Sequence, residues 1–158
     1  MQRILLALDG RGHAEAACRW VRRWLLADDA IEVTVLYVTE LAGSARFAGP
    51  RWTSDYERDI QETLRAYLEQ DVFRGVMDRV RFLHESGTSV SDVIVMVADI
   101  LHCHTIVLGG QPPRGFRRWV GGGVAAGVLR RTGASVMVVR SHVERVLPTP
   151  MHGPHRAG

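Results

Sequence analysis

Short apolar segments alternate with longer amphipathic patterns along most of this chain. The apolar segments are "RILLALD", "IEVTVLYV", "RVRFLHE", "HTIVLGG" and "SVMVVRS". Segments that are apolar on both faces are typical of strands covered by helices on each side. Strict alternation of strands and helices, with right-handed crossovers, builds a mostly parallel sheet. The sequence therefore predicts a doubly wound α/β fold with five strands and helices on both faces.

Apolar residues recur at steps of three and four between the predicted strands, as on one face of a helix. The first helical face comprises Ala14, Ala17, Val21 and Leu25, and the second comprises Tyr56, Ile60, Leu64, Tyr67 and Leu68. A third helix is predicted to begin at Ser89, which with Asp92 resembles a capping box. Its inner face comprises Val93, Ile94, Val97, Ala98 and Leu101. A fourth is predicted from Val120 or Val124 to Arg131, with a stop near Thr132 and Gly133.

The size of the chain fits one folded unit. Its 158 residues, 46% of them hydrophobic, suffice for one domain with a substantial core. We predict a single domain over residues 1–145 and a flexible tail over 146–158, which is rich in Pro and Gly. Residues 42–55 lack clear periodicity and are predicted to form a surface connection.

Charge and cysteine content limit the partners and the compartment. The balance of 20 basic and 17 acidic residues gives a net charge of +3, far from the basic stripe of a nucleic-acid reader. Cys18 and Cys103 are too few for a disulfide scaffold, which favours a reducing cytoplasm. No stretch approaches the ~20 apolar residues that span a bilayer. We therefore expect a cytoplasmic protein without nucleic-acid or membrane partners.

Three segments follow predicted strands at their carboxyl ends, the edge where open α/β sheets bind ligands. They are Asp9-Gly10, Val38-Thr39 and the stretch "GGQPPRGFRRWVGGGV", residues 109–124. The glycines of this last stretch let the backbone approach a ligand closely, whereas its paired prolines stiffen the loop and remove N–H donors. It is the candidate phosphate-binding loop.

Several common sites are excluded by the residues present. A P-loop needs a Gly-Lys pair, and the chain has none. Glu15 stands where a dinucleotide fingerprint would need its third glycine, and its charge would repel a pyrophosphate. No G-x-S-x-G pattern occurs to nominate a catalytic nucleophile. We therefore predict no catalytic residue.

The segment "HCHT" invites a zinc interpretation. However, His102, Cys103 and His104 are adjacent, so their side chains point in different directions, and no companion pair has ligand spacing. We predict a helix end at this segment and no metal site.

Four segments, "ILLALDG", "VTVLYV", "TIVLGG" and "GGGVAAGVLRRTGASVMVVR", resemble the universal stress protein family. The resemblance spans about residues 2–140. It implies a Rossmann-like sheet of five parallel strands, a usual homodimer and, in one branch of the family, binding of ATP or AMP through a loop of the form G-x2-G-x9-G-[ST]. The first glycine of that motif matches Gly109 and the third matches Gly122. The second falls on Pro112, and the serine or threonine falls on Gly123.

The same resemblance implies the remaining contacts of a nucleotide. Asp9, preceded by Ala7 and Leu8, would contact adenine and ribose, and Val38 would pack against the base. The phosphates would lie over Gly109, Gly122 and Gly123, and the flanking residues Leu108 and Val124 would also belong to the nucleotide site. Mg²⁺ is implied only together with ATP.

The two departures from the motif have different expected effects on phosphate binding. Pro112 supplies no N–H, and a hydrogen bond to a charged group is worth about 1.5–3 kcal/mol. Gly123 loses a hydroxyl but keeps its amide, and residues 121–123 present consecutive backbone donors at the start of a helix. Arginines at three loop positions either replace the lost donor or form a solvated face; they are Arg114, Arg117 and Arg118.

Three functions follow from these observations. The first is a regulatory protein that binds an adenine nucleotide. The second is a homodimer that has lost nucleotide binding and acts through protein partners, pairing through the edge of Val136 to Val139 unless that strand lies inside the core. The third, a slow ATP hydrolase, has least support, because only Asp9 is positioned to organise Mg²⁺ and water. We therefore expect no enzyme.

Overall fold

The computed structural model describes residues 1–8, 14–41, 58–59, 62–110 and 123–140. The predicted surface connection at 42–55 and the predicted tail at 146–158 lie outside the described residues. So does the proposed domain boundary at residue 145.

Five parallel strands form one sheet in the order β3-β2-β1-β4-β5. The strands are β1 (Gln2–Leu8), β2 (Ile31–Glu40), β3 (Val80–Gly87), β4 (Thr105–Gly110) and β5 (Ser135–Arg140). The predicted number and direction of the strands are confirmed. The strand β5 lies at one edge of the sheet, and its side chains still pack against both cores: Met137 and Val139 against the first, Val136 and Val138 against the second.

Helices connect the strands in the predicted alternation. They are α1 (Ala14–Ala27), α2 (residues 58–59 and 62–67, continued by a π-helical turn at Leu68–Val72), α3 (Val90–Ile100) and α4 (Val124–Arg131). A 3-10 turn, Met77–Arg79, leads into β3. The fold is the predicted doubly wound α/β architecture.

Two apolar cores lie on opposite faces of the sheet, because successive strand residues point to opposite faces. In β1, Leu6 and Leu8 belong to the first core, and Leu5 and Ala7 belong to the second. Helices α1 and α2 cover the first core, whereas α3 and α4 cover the second. The predicted inner face of α1 is confirmed at its described positions, where the side chains are fully buried: Ala17, Val21 and Leu25.

The inner face of α2 differs from the prediction at one position. Leu68 is buried and Leu64 packs against the first core, but Tyr67 is 43% exposed. Leu64 and Leu68 are one turn apart and define the inward direction, and Tyr67 lies about 100° away from Leu68 around the helix axis. Tyr56 and Ile60 lie outside the described residues.

A π-helical turn ends α2 and changes which residues face the core. The Phe73 N–H donates to the Leu68 carbonyl oxygen at 2.7 Å, a bond across five residues. The wider turn brings Val72 and Phe73 inward beside Leu68. Gly75 then adopts φ 85°, a left-handed conformation that glycine tolerates, and the chain turns toward β3.

The start of α3 is confirmed at Ser89, but the predicted capping box does not form. Ser89 is the N-cap residue, yet its side chain makes no capping bond, and its Oγ lies 3.3 Å from Ser91 Oγ. The Asp92 carboxylate instead accepts a hydrogen bond from the Arg131 guanidinium at the end of α4. The Asp92 carboxylate, which the local pattern predicted to cap α3, therefore forms an ion pair with α4 instead.

The end of α3 has the hydrogen bonds of a Schellman motif. The His102 N–H donates to the Asp99 oxygen at 3.1 Å, and the Cys103 N–H donates to the Ala98 oxygen at 2.8 Å. His102 occupies the left-handed position at φ 52°, where glycine is the usual residue. The predicted helix end at "HCHT" is confirmed.

Replacing His102 with glycine is expected to stabilise the protein. Glycine removes the left-handed strain but increases the entropy of the unfolded chain, so the net gain is a few tenths to about 1 kcal/mol. Chemical denaturation would measure this gain against His102→Ala, which removes the exposed imidazole but keeps the strained Cβ. Equal stability of the two variants would contradict the interpretation.

Candidate functional site

The strand order reverses between β1 and β4, so their carboxyl ends form a topological switch point. These strands are neighbours in the sheet, and the helices next described after them, α1 and α4, lie on opposite faces. Such a switch point is where open α/β sheets bind ligands. Ala7 pairs with Leu108, so Leu8 and Gly109 occupy the next positions along the two strands. The structure thus brings together four of the predicted site residues.

The side chains of these strand residues belong to the core. Ala7, Leu8 and Leu108 are no more than 7% exposed. A ligand at this edge would therefore meet mainly backbone groups at the strand ends. Val38 lies on β2, also 7% exposed, with its side chain in the second core under α3.

The start of α4 forms the other described part of the candidate site. Gly123 is its N-cap with φ −84° and ψ 163°, and an added Cβ would meet no atom within 4 Å among those described. Val124 is 43% exposed. The first N–H groups of a helix lack partners within it, and the positive end of the helix dipole favours anions there. These features suit a phosphate group.

The remaining predicted loop residues lie outside the described residues. They are Asp9, Pro112, Gly122 and the arginines Arg114, Arg117 and Arg118. It therefore stays a prediction that arginine side chains replace the N–H donor missing at Pro112.

A polar cluster that the sequence analysis missed lies at the carboxyl ends of β2 and β3. Thr39 Oγ1 is 2.9 Å from His84 Nε2, and the rings of Tyr37 and His84 have centroids 5.8 Å apart with planes inclined by 30°. The available signal was the period of two in "IEVTVLYVTE": Val33 and Val35 face the first core, and Tyr37 and Thr39 continue the same face. His84 joins them through strand pairing, which the local sequence does not reveal.

The "HCHT" residues lie near the amino ends of β1 and β4, at the other end of these strands from the candidate site. His104 Nδ1 accepts the Arg3 N–H at 3.1 Å, and the Arg3 guanidinium donates to the Leu101 oxygen at 2.8 Å. Within the described ranges, no group of three or more His, Cys, Asp or Glu side chains could hold a metal ion. These contacts fasten the end of α3 to β1.

Both thiols are unpaired. Burial raises the pKa of Cys18 to about 12, and a backbone hydrogen bond offsets this only in part. Burial also raises the pKa of Cys103, which the nearby charge of Arg3 partly counteracts. A protonated thiol is a poor nucleophile and metal ligand. Cys18 therefore acts as a packing residue at neutral pH.

No helix in the described part of the chain combines the length and the apolar character needed to cross a bilayer. A search among curated protein sequences found no significant match.

Three solved structures of similar architecture are distant from this chain in sequence. The universal stress protein UspA from Lactobacillus plantarum has a TM-score of 0.68 at 18% identity, covering 88% of this chain and 97% of its own. A universal stress protein from Archaeoglobus fulgidus, solved in complex with dAMP, has a TM-score of 0.62 at 20% identity, covering 89% and 98%. A universal stress protein solved with cAMP has a TM-score of 0.57 at 18% identity, covering 88% and 96%. At these identities the likeness shows a shared fold.

The family assignment rests on the sequence itself. Residues 1–140 match the sequence model of the Universal stress protein family, which is most of the 158-residue chain. The five-stranded parallel sheet agrees with that match and with the solved structures. This chain belongs to the universal stress protein family.

Proposed function

We propose that the protein is a regulatory nucleotide-binding protein that takes ATP or AMP at the carboxyl edge of its sheet. The observation that carries the proposal is the switch point between β1 and β4, with Gly109 at one strand end and the open N-cap Gly123 at the start of α4. Relatives of the same fold solved with dAMP and cAMP support the choice of an adenine nucleotide.

In this proposal, backbone amides bind the phosphates and the strand ends hold the nucleoside. The phosphates lie against Gly109 and residues 122–124, and Asp9 contacts the adenosine next to Val38. Mg²⁺ binds only as a companion of ATP. The protein acts by binding rather than by catalysis, and the two free thiols favour the cytoplasm.

Thermal unfolding with added ligand tests the proposal. Nucleotide at 100 times its Kd is expected to stabilise the wild-type protein by about 2.7 kcal/mol. Gly123→Leu should abolish the shift, because the new side chain covers the first amides of α4 without meeting a described neighbour. Gly133→Leu is the matched control, since Gly133 also has open surroundings but follows the other end of α4.

The ultraviolet spectrum of the purified protein, and the nucleotide released by acid, give an independent measurement. Absence of both released nucleotide and a thermal shift at millimolar ATP, ADP and AMP would reject nucleotide binding. An equal shift in wild-type protein and Gly123→Leu would locate the ligand elsewhere.

A second function, interaction through a homodimer, is favoured by the position of β5. This strand lies at the edge of the sheet, and Val136 and Val138 remain partly exposed there. Unpaired edge strands pair readily with other chains. We propose that a second copy pairs along Val136 to Val139, with or without nucleotide.

Sedimentation analysis tests the dimer with matched variants at the two sheet edges. Val138→Lys should yield monomers, because it places a charge in the proposed interface. Leu83→Lys should remain dimeric, because Leu83 is also partly buried against the second core but lies on β3, at the opposite edge. A wild-type monomer, or equal behaviour of the two variants, would reject an interface at β5.

A further inference from the structure

One flank of α1 is aromatic and only partly covered. Ala16, Trp20 and Trp24 follow one another at steps of four residues and form one stripe along the helix. Ala16 and Trp24 pack against the first core, but Trp20 between them is 42% exposed. The Arg23 guanidinium lies over the Trp20 ring, 5.4 Å from its centroid. We call this stripe, together with Arg23, the indole flank.

The indole flank faces the β5 edge of the sheet. On the first sheet face, α1 packs chiefly over β4 and β5, and α2 lies on its other side, where Arg65 contacts Phe82 of β3. The opposite flank of α1 is more deeply buried, since Cys18 is 1% exposed and Nε of Arg22 is buried. A right-handed β1-α1-β2 crossover places that buried flank beside α2 and the indole flank beside β5. Among the described elements, no helix covers the indole flank from the β5 side.

The proposed pairing of β5 brings two indole flanks toward each other. A twofold axis that relates two copies of one strand edge pairs them antiparallel, so both α1 helices lie on the same side of the joined sheet. With α1 over β4, each helix axis is one and a half strand spacings, about 7 Å, from the twofold axis. The two helix axes are then roughly 14 Å apart, whereas helices in direct contact are about 8–10 Å apart. Large side chains from both helices fill a gap of this size.

Trp20 lies at the height where the two copies meet. It is halfway along the 14 residues of α1, which runs antiparallel to the strands beneath it. Pairing of all six residues of β5 with their counterparts centres the twofold axis on the middle of that strand. Met137, near this middle, packs on the same sheet face as α1. The two Trp20 side chains therefore approach each other close to the axis, above Met137.

The β5 edge alone is too small for a stable dimer. Six strand residues span about 20 Å and a sheet layer is about 10 Å thick, which gives roughly 200 Å² of edge. A stable interface covers about 800 Å² on each partner. The helices that flank β5 must supply much of the difference. Tryptophan and arginine are the residues enriched at the centres of such interfaces.

From these observations we infer that the indole flank is a contact surface for a second copy of this chain. Trp20 packs against the partner's Trp20 across the twofold axis, beside the paired β5 strands. Arg23 holds the indole ring in place before the copies meet, which reduces the entropy lost on association. The inference rests on the proposed homodimer and adds α1 to its interface.

Sedimentation equilibrium of the full chain tests this contact. Trp20→Ala should raise the dimer dissociation constant at least about 30-fold, because truncation of a central interface tryptophan has an effect of this size. Leu26→Ala is the matched control: Leu26 is 58% exposed on the same helix but lies about 120° around its axis from Trp20. Both variants should keep the circular dichroism of the wild type, since neither side chain belongs to the buried core.

Fluorine NMR gives a readout on the intact interface. In protein labelled with 5-fluorotryptophan, the Trp20 signal is the one lost in Trp20→Phe. This signal should shift when the wild-type dimer is diluted to monomer. In Val138→Lys it should stay at the position of the dilute protein at every concentration.

The outcomes separate the indole-flank contact from the β5 pairing. If Val138→Lys dissociates the dimer but Trp20→Ala dimerises as tightly as the wild type, the contact is wrong and the β5 pairing stands. Weakening by Trp20→Ala but not by Val138→Lys would also overturn the inference, because it would detach α1 from a β5 interface. Equal weakening by Trp20→Ala and Leu26→Ala would contradict a contact confined to the indole flank. A wild-type protein that stays monomeric rejects both proposals.

Discussion

Replacing Phe73 with alanine is expected to lower the free energy of unfolding by about 3–5 kcal/mol. Phe73 is fully buried, and among the described residues it is the largest of the fully buried side chains. It lies in the first core, where the π-helical turn brings it against the sheet. Alanine would remove the ring and leave a cavity that the surrounding strands cannot fill. For a chain of this length the expected loss lowers the melting temperature on the order of 10 °C.

Two variants control this expectation. Phe73→Leu keeps most of the apolar volume and should lose clearly less stability than Phe73→Ala. Leu26→Ala truncates a side chain that is 58% exposed, so its effect should stay within about 0.5 kcal/mol. Denaturant unfolding would measure all three. Equal free energies of unfolding for Phe73→Ala and Leu26→Ala would show that the π-helical turn does not place the Phe73 ring in the core.

The strands could be predicted because each strand carries its own signal. Strands buried on both faces are continuous apolar runs, and the observed strand boundaries agree with the predicted segments to within two residues. Parallel direction and layering then follow from the alternation with helices and the right-handed crossover.

Features that depend on tertiary partners were not predictable from local patterns. The Ser89–Asp92 pattern fits a capping box, yet Arg131, 39 residues beyond Asp92, binds that carboxylate. Likewise the bond between Thr39 and His84 joins residues 45 apart, and it exists only because β2 and β3 pair in one register.

The candidate site likewise has one part that the sequence predicts and one part that depends on tertiary contacts. Ala7, Leu8, Leu108 and Gly109 end strands, so their meeting at one edge follows from the strand order. Their burial leaves mainly backbone groups to contact a ligand. The glycine motif identifies Gly109, whereas the cluster of Tyr37, Thr39 and His84 depends on strand pairing that no local motif reveals.

Gly127 lies where α4 crosses α3, and replacing it with leucine is expected to lower the free energy of unfolding by about 3 kcal/mol. A Cβ at this position would lie 2.6 Å from Ser91 Oγ and 2.7 Å from Ser91 Cβ. The hydroxyl can rotate away, but Ser91 Cβ is fixed to the backbone of α3. The two helices must therefore separate, and the contact between them in the second core is lost. Alanine should cost less, because its better helix propensity offsets about 1 kcal/mol of the strain.

The displacement should also reach the candidate ligand site. The Gly127 N–H donates to the Gly123 oxygen at 3.0 Å, so a shift of α4 moves the first turn, whose amides are proposed to bind phosphate. Gly127→Ala should thus weaken AMP binding as well as stability. Gly133→Ala, with open surroundings, should change neither. Ser91→Gly should recover part of the stability lost in Gly127→Ala, because it removes the Cβ that the new methyl meets. A double-mutant cycle without such coupling would show that another contact sets the spacing of α3 and α4.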